Sequence, residues 1–224
     1  VPPGYDPQVP APLLLLLHGC PSDGAGPYGE NVLKLGPVAE ELGILFAVPD
    51  GMGAPGQRSW GGCSGSFDAS SAYLRSLIEE ARGLFNVDPA RIFIAGYSDG
   101  GFMAYRMALD HGDLVAAIAC LAGANPHGVK PSVPLPVLDV HGTADVNVPY
   151  ADGLRSLEAF VGDSTWAMSP EDARRGPDLV TGAETAVTRW GTGCLPEGFF
   201  ELWTLPGVNH FPSLIPDGAT NTLA

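Results

Sequence analysis

Short, unbroken apolar runs recur along this chain, and each is followed by a stretch whose apolar residues return at helical spacing. The runs "PLLLLLHG" (12–19), "ILFAVPDG" (44–51) and "RIFIAGY" (91–97) show no polar alternation, so both faces need cover, as in parallel strands packed between helices. Between the first two, "NVLKLGPVAEELG" reads as a helix that stops at Gly43. From about Asp68, the residues Tyr73, Leu74, Leu77, Ile78, Ala81, Leu84 and Phe85 make one apolar helical face, which "NVDPA" interrupts. A further helix runs from Ser98 to about Leu109 and closes at Gly112, and strands follow at "LVAAIACLAG", "PVLDVHG" and "FFELWTLPG". Such alternation predicts an α/β fold: an open, mostly parallel sheet flanked by helices, with its site at strand C-terminal ends. The stretch 146–190 carries Pro149, Gly162, Pro170, Gly176 and Pro177 and is expected to be an irregular lid or insertion between the candidate acid and histidine, within one domain spanning 1–224.

Composition narrows the function classes. At 224 residues and 45% hydrophobic, the chain can bury one substantial core. A formal charge of -14 with only 11 Lys and Arg argues against nucleic acid and against anionic membrane surfaces. No run approaches the roughly 18 apolar residues of a membrane helix, so membrane insertion is not expected. The chain opens at Val1 without a basic-then-apolar segment, which is expected of a chain whose signal peptide is removed or was never present. Cys20, Cys63, Cys120 and Cys194 are compatible with two disulfides in any of three connectivities. With no CxxC pair and no histidine pair at ligand spacing, neither a metal nor another cofactor is expected.

The strand "RIFIAGY" enters its helix through "GYSDG", Gly96 to Gly100, which fits G-x-S-x-G: a sharp strand-to-helix turn that exposes a serine oxygen at the sheet edge. "GCSGS" around Ser64 lacks the last glycine and follows no strand. A serine hydroxyl becomes a useful nucleophile only when a base takes its proton and a carboxylate orients that base. Asp145 in "LDVHGTADVNVP" and His210 in "LWTLPGVNHFP" each lie in a loop just after a strand, in the chain order Ser, Asp, His that this fold uses. Asp139 is inside its strand, His111 ends a helix and faces solvent, His127 lies in a Pro/Gly loop, and His141 is expected to shape the Asp145 turn. The alternatives are a helix-capping Ser98, an Asx-turn Asp145 and an ordinary loop histidine. A tetrahedral oxyanion also needs two backbone N–H donors, for which Asp99 and Cys20 in "LHGCP" stand at the expected places.

The set "LHGC", "RSWGGC", "VDPARIFIAGYSDGG", "HGTADVNVPY" and "PGVNH" resembles the poly(3-hydroxybutyrate) depolymerase and feruloyl esterase group of the α/β-hydrolase superfamily over nearly the whole chain. The resemblance implies a serine ester hydrolase working through an acyl-enzyme on short hydroxyalkanoate or aromatic-acid esters, small or polymeric. It carries the triad to Ser98, Asp145 and His210 and the oxyanion donors to Cys20 and Asp99. Trp60 and Trp166 are candidates for an aromatic wall and Tyr97 for a substrate contact, with ordinary packing as the alternative for each. A thioesterase or peptidase of the same fold, or a non-catalytic binding module, are the rival readings. Cys20 and Cys63 sit in loops expected to leave adjacent strand ends over Ser98; bridged, they would brace the oxyanion loop and fit a secreted, extracellular protein, and unpaired they would be small buried residues. Cys120 either pairs with Cys194 or is simply buried.

Overall fold

The computed structural model describes residues 1–21, 35–63, 66–126, 128–133, 135–161, 170–175, 185–191 and 199–210. Ser64, His127, Trp166, Cys194 and most of 162–182 lie outside the described residues. Among the described residues, eight strands form one sheet: β1 (Ala11–Leu17), β2 (Leu45–Ala47), β3 (Val87–Tyr97), β4 (Ala117–Leu121), β5 (Val137–Gly142), β6 (Pro170–Arg175), β7 (Ala186–Gly191) and β8 (Phe199–Leu205), in the order β2-β1-β3-β4-β5-β8-β7-β6. The six from β2 to β8 are parallel, and β7 and β6 close one edge antiparallel. The helices described are α1 (Leu35–Glu41), α2 (Phe67–Leu84), α3 (Asp99–Asp110) and α4 (Tyr150–Val161).

The unbroken apolar runs are explained by cover on both faces. Leu15, Leu16 and Leu17 of β1 are all buried, although successive strand residues point to opposite sides. Leu15 and Leu17 join the large cluster with Leu74 and Ile78 of α2, Met103 and Tyr105 of α3, and Leu157 and Phe160 of α4. Leu16 belongs to a second cluster with Val140 and Leu205, against which Leu35 of α1 packs. The chain leaves β1 for β2 on one side and later returns to β3 on the other. That reversal opens a crevice above the C-terminal ends of β1 and β3, where ligands bind in such sheets.

Three elements differ from the sequence reading. β2 ends at Ala47, short of the expected 51, at the sheet edge and just before Pro49, which has no N–H to donate to a ladder. β3 begins at Val87, four residues before Arg91, because the helix-breaking "NVDPA" is itself extended; Val87 pairs with Ala11 across a register shift that spans Pro89. The stretch 146–190, read as irregular, contains α4, β6 and all but the last residue of β7. Leu154, Leu157 and Phe160 do recur at helical spacing, a period hidden by the Gly and Pro around them.

Candidate active site

Ser98 sits between β3 and α3 with φ 53° and ψ -116°, a conformation that costs a side-chain-bearing residue about 1–3 kcal/mol and persists only where its surroundings enforce it. They do so by close approach. A methyl group at Gly96 would run into the Gly100 carbonyl, and one at Gly100 into the Leu17 carbonyl, so both flanking positions must lack a side chain. The Ser98 N–H donates to the Leu121 carbonyl at 2.8 Å, which ties the turn to β4. No side-chain capping bond is made by Ser98. Its hydroxyl points instead to His210 Nε2, 2.9 Å away.

His210 Nδ1 lies 2.7 Å from Asp145 Oδ2. The carboxylate can only accept there, so the ring proton is on Nδ1 and Nε2 is free to accept from Ser98. Asp145 Oδ1 accepts from the N–H groups of Asn147 and Val148, both at 2.9 Å, so the Asx turn, read as an alternative to the contact with His210, and that contact are both made by one side chain with its two oxygens. The loops after β5 and β8 are laced together: Thr143 N–H to Leu205 O and Ala144 N–H to Val208 O at 3.0 Å, with Gly207 N–H on Thr143 Oγ1 at 2.9 Å. Tyr97 donates its hydroxyl to the His210 carbonyl at 2.8 Å, and the two rings lie 5.4 Å apart. The three predicted side chains therefore converge although they come from three separate strand ends.

The oxyanion candidates flank Ser98 in a cleft of about 610 Å³, which Cys20, Asp99, Tyr97 and His210 help to line. Cys20 is bridged to Cys63, with Cα atoms 6.1 Å apart, and Cys120 is a free, buried thiol. Burial, reinforced by the nearby Asp139 charge, pushes that thiol well up, so it stays protonated. The Asp99 side chain does more than the sequence suggested. Buried, it accepts from Trp60 N–H at 2.6 Å, Gly62 N–H at 2.7 Å and the Ser59 hydroxyl at 2.8 Å, so it grips the loop that carries Cys63.

Trp60 corrects an expectation. It is fully buried and absent from the cleft; its indole N–H donates to the His18 carbonyl at 2.9 Å and its ring packs on His18 at 5.0 Å, so it braces the end of β1 from which the Cys20 loop departs. Trp166 lies outside the described residues. His18 precedes Gly19 and Cys20 at the end of β1 and is fully buried. Its Nε2 accepts from Gly51 N–H at 2.9 Å, which places its hydrogen on Nδ1, 2.7 Å from the Gly19 carbonyl. Burial pulls its basicity below the usual histidine value, so it remains neutral. His111, expected to face solvent, is half-buried against Ser71 and Arg75. Apolar contacts the sequence reading missed are Phe102, Phe67 and Val148. Phe102 was findable, standing one helical turn after Ser98; Phe67 depends on how α2 is placed.

A family model described as "Putative esterase" matches residues 1–181. The chain belongs to this esterase family. It is 32% identical over 164 residues to feruloyl esterase B of Piromyces equi, covering 70% of this chain, and 26% identical over 207 residues to the bifunctional acetylxylan esterase/xylanase XynS20E of Neocallimastix patriciarum, covering 91%. The matches take in only 30% and 29% of those relatives' own lengths. A poly(3-hydroxyalkanoate) depolymerase C of Paucimonas lemoignei is 24% identical over 94% of this chain and 57% of its own. Among solved structures, acetyl xylan esterase from Aspergillus awamori superposes with a TM-score of 0.67 at 17% identity, over 94% of this chain and 86% of its own. The fold is that of the α/β-hydrolases.

Proposed function

We propose that this domain is a serine hydrolase of carboxylic esters, with Ser98 as nucleophile, His210 as base and Asp145 as its orienting acid. The observation that carries the reading is the continuous chain from Ser98 Oγ through His210 to Asp145 Oδ2, with links of 2.9 and 2.7 Å. Attack by Ser98 Oγ on the ester carbon sends its proton to His210 Nε2, and the imidazolium that forms is paired with Asp145. The N–H groups of Cys20 and Asp99 receive the oxyanion, and the departing alkoxide takes the proton back from His210. Water then repeats the sequence on the acyl-enzyme and releases the acid. The apolar lining from Phe67, Phe102 and Val148 suits an acyl group with a short aliphatic or aromatic body, on a small or a polymeric ester. The Cys20–Cys63 bridge supports secretion, since such bonds persist in oxidising compartments.

The test pairs labelling with turnover. A serine-directed organophosphate should label one residue per chain, Ser98, and Ser98→Ala should lose labelling and about a thousandfold or more of ester hydrolysis while keeping its thermal midpoint. A folded Ser98→Ala protein retaining more than about a tenth of the activity would refute the assignment. A panel of esters graded in acyl size and aromaticity identifies the substrate class.

A further inference from the structure

Behind Asp145 lies a second buried pair that ester hydrolysis does not use directly. Asp139 and His141 stand two apart on β5, so their side chains share one face of the sheet, and both are fully buried there. His141 Nε2 lies 2.8 Å from the Val148 carbonyl, which can only accept, so that nitrogen carries a hydrogen; it is also 3.5 Å from Asp145 Oδ2. On the other side of the ring, Nδ1 faces Asp139 Oδ1 at 3.6 Å; neither atom has a hydrogen-bond partner among the described residues, and the Cys120 thiol lies against the same carboxylate. Two bare acceptors facing one another in an enclosed site is a strongly unfavourable arrangement. A single proton between them satisfies both.

The surroundings decide which of the two holds that proton. Asp139 Oδ2 accepts the Tyr105 hydroxyl of α3 at 2.8 Å, which fixes the carboxylate with Oδ1 toward the His141 ring. The other titratable groups facing the ring are Asp145 from the turn and Tyr150 of α4, whose ring is 5.9 Å away; Cys120 of β4 lies against Asp139, and His210 lies beyond Asp145. Neither Asp139 nor Asp145 has an arginine or lysine partner among the described residues. Burial pulls His141 down, but the hydrogen bond and charge of Asp139, the Val148 carbonyl and the Asp145 charge outweigh it, and the net direction is up. Tyr105 is driven well up by burial and by the Asp139 charge, so it donates and stays neutral.

We propose that His141 is a positioning residue held as an imidazolium between Asp139 and Asp145, its charge pairing with Asp145 and keeping that carboxylate aimed at His210. Charges then alternate from Asp139 through His141 to Asp145, and the Nε2–H bond to Val148 closes the same turn whose N–H groups hold Asp145 Oδ1. The inference rests on the triad reading, and its tests separate the two.

The first measurement needs no variant. In the ¹⁵N spectrum of the wild-type protein at about pH 8, where an ordinary histidine is neutral, His141 should show two protonated ring nitrogens; one unprotonated nitrogen overturns the proposal. This readout is independent of turnover, so an active Ser98→Ala protein would remove the triad and leave the nitrogen result standing. The second measurement is the pH profile of kcat/KM on a soluble p-nitrophenyl ester. His141→Gln keeps a donor toward Val148 and loses the charge, while Asp139→Asn keeps the shape and loses the anion that holds the proton. In both, Asp145 is less compensated and binds the His210 proton more tightly, so the acid limb should move up by about half a pH unit to one unit, further in His141→Gln. Lower activity with an acid limb within about 0.2 unit of wild type would show a mere structural spacer and overturn the proposal.

Discussion

Replacing Asp99 by Asn tests how the two proposed oxyanion donors are held. The carboxylate accepts three bonds, from Ser59, Trp60 and Gly62, and bonds to a charged acceptor contribute about 1.5–3 kcal/mol each. Asparagine offers one acceptor oxygen. Placed toward Ser59 and Trp60, it keeps those two as weaker neutral bonds, and its NH2 then confronts the Gly62 N–H. Losing one bond and weakening two comes to roughly 3–4 kcal/mol, which for a domain of this size lowers the thermal midpoint by roughly 6–16 °C. The loop released also carries Cys63 and, through it, Cys20. Turnover should therefore fall about tenfold with KM little changed, equivalent to about 1.4 kcal/mol of transition-state stabilisation. Thermal unfolding by circular dichroism and steady-state kinetics on a p-nitrophenyl ester read both quantities. A midpoint within about 2 °C of wild type together with unchanged kcat would refute the claim that the Asp99 side chain anchors this loop.

Asp145→Asn should cost about 10⁴-fold in kcat by leaving His210 without its anion, and Asp139→Asn far less; equal losses in the two kinetic series would move the acid elsewhere. Cys63→Ser, removing a bridge across a separation of 43 residues, should destabilise the protein by at most about 4 kcal/mol in denaturant titrations, and lowered kcat would accompany it; an unchanged midpoint would show the bridge to be dispensable. Because burial lowers His18 below its ordinary 6.5, the unfolded chain binds this proton first, so stability is lost as pH falls from about 6.5 toward the folded value. His18→Asn, which keeps a donor toward Gly19, should flatten that part of the melting-temperature profile; a profile of unchanged slope would show that His18 does not titrate on unfolding.

Parallel strands, the helices between them and the serine turn were legible because their signals are local. An apolar run needing cover on both faces, an apolar stripe at helical spacing, and glycines on either side of Ser98 each lie within a few consecutive residues. Asp145 and His210 could be placed from the chain order and from their position after apolar strands. What those strands left open was which side chains would meet. Trp60 reads equally as a cleft wall or a core residue, and only the packing of its loop against β1 turns its indole to the His18 carbonyl, 42 positions away in sequence. The Asp99 carboxylate reads as a favourable charge at a helix start, yet its partners are 37 to 40 residues distant. Asp139 and His141 stand two apart in sequence, but the meaning of the pair depends on α3 and α4 closing over it and excluding water, and α4 lay in a stretch whose Gly and Pro content masked its period. Local sequence thus determined which elements form and which hydroxyl, imidazole and carboxylate were available; tertiary structure decided the buried hydrogen bonds that hold them, because those partners become neighbours only when loops from different strands are brought over one sheet edge.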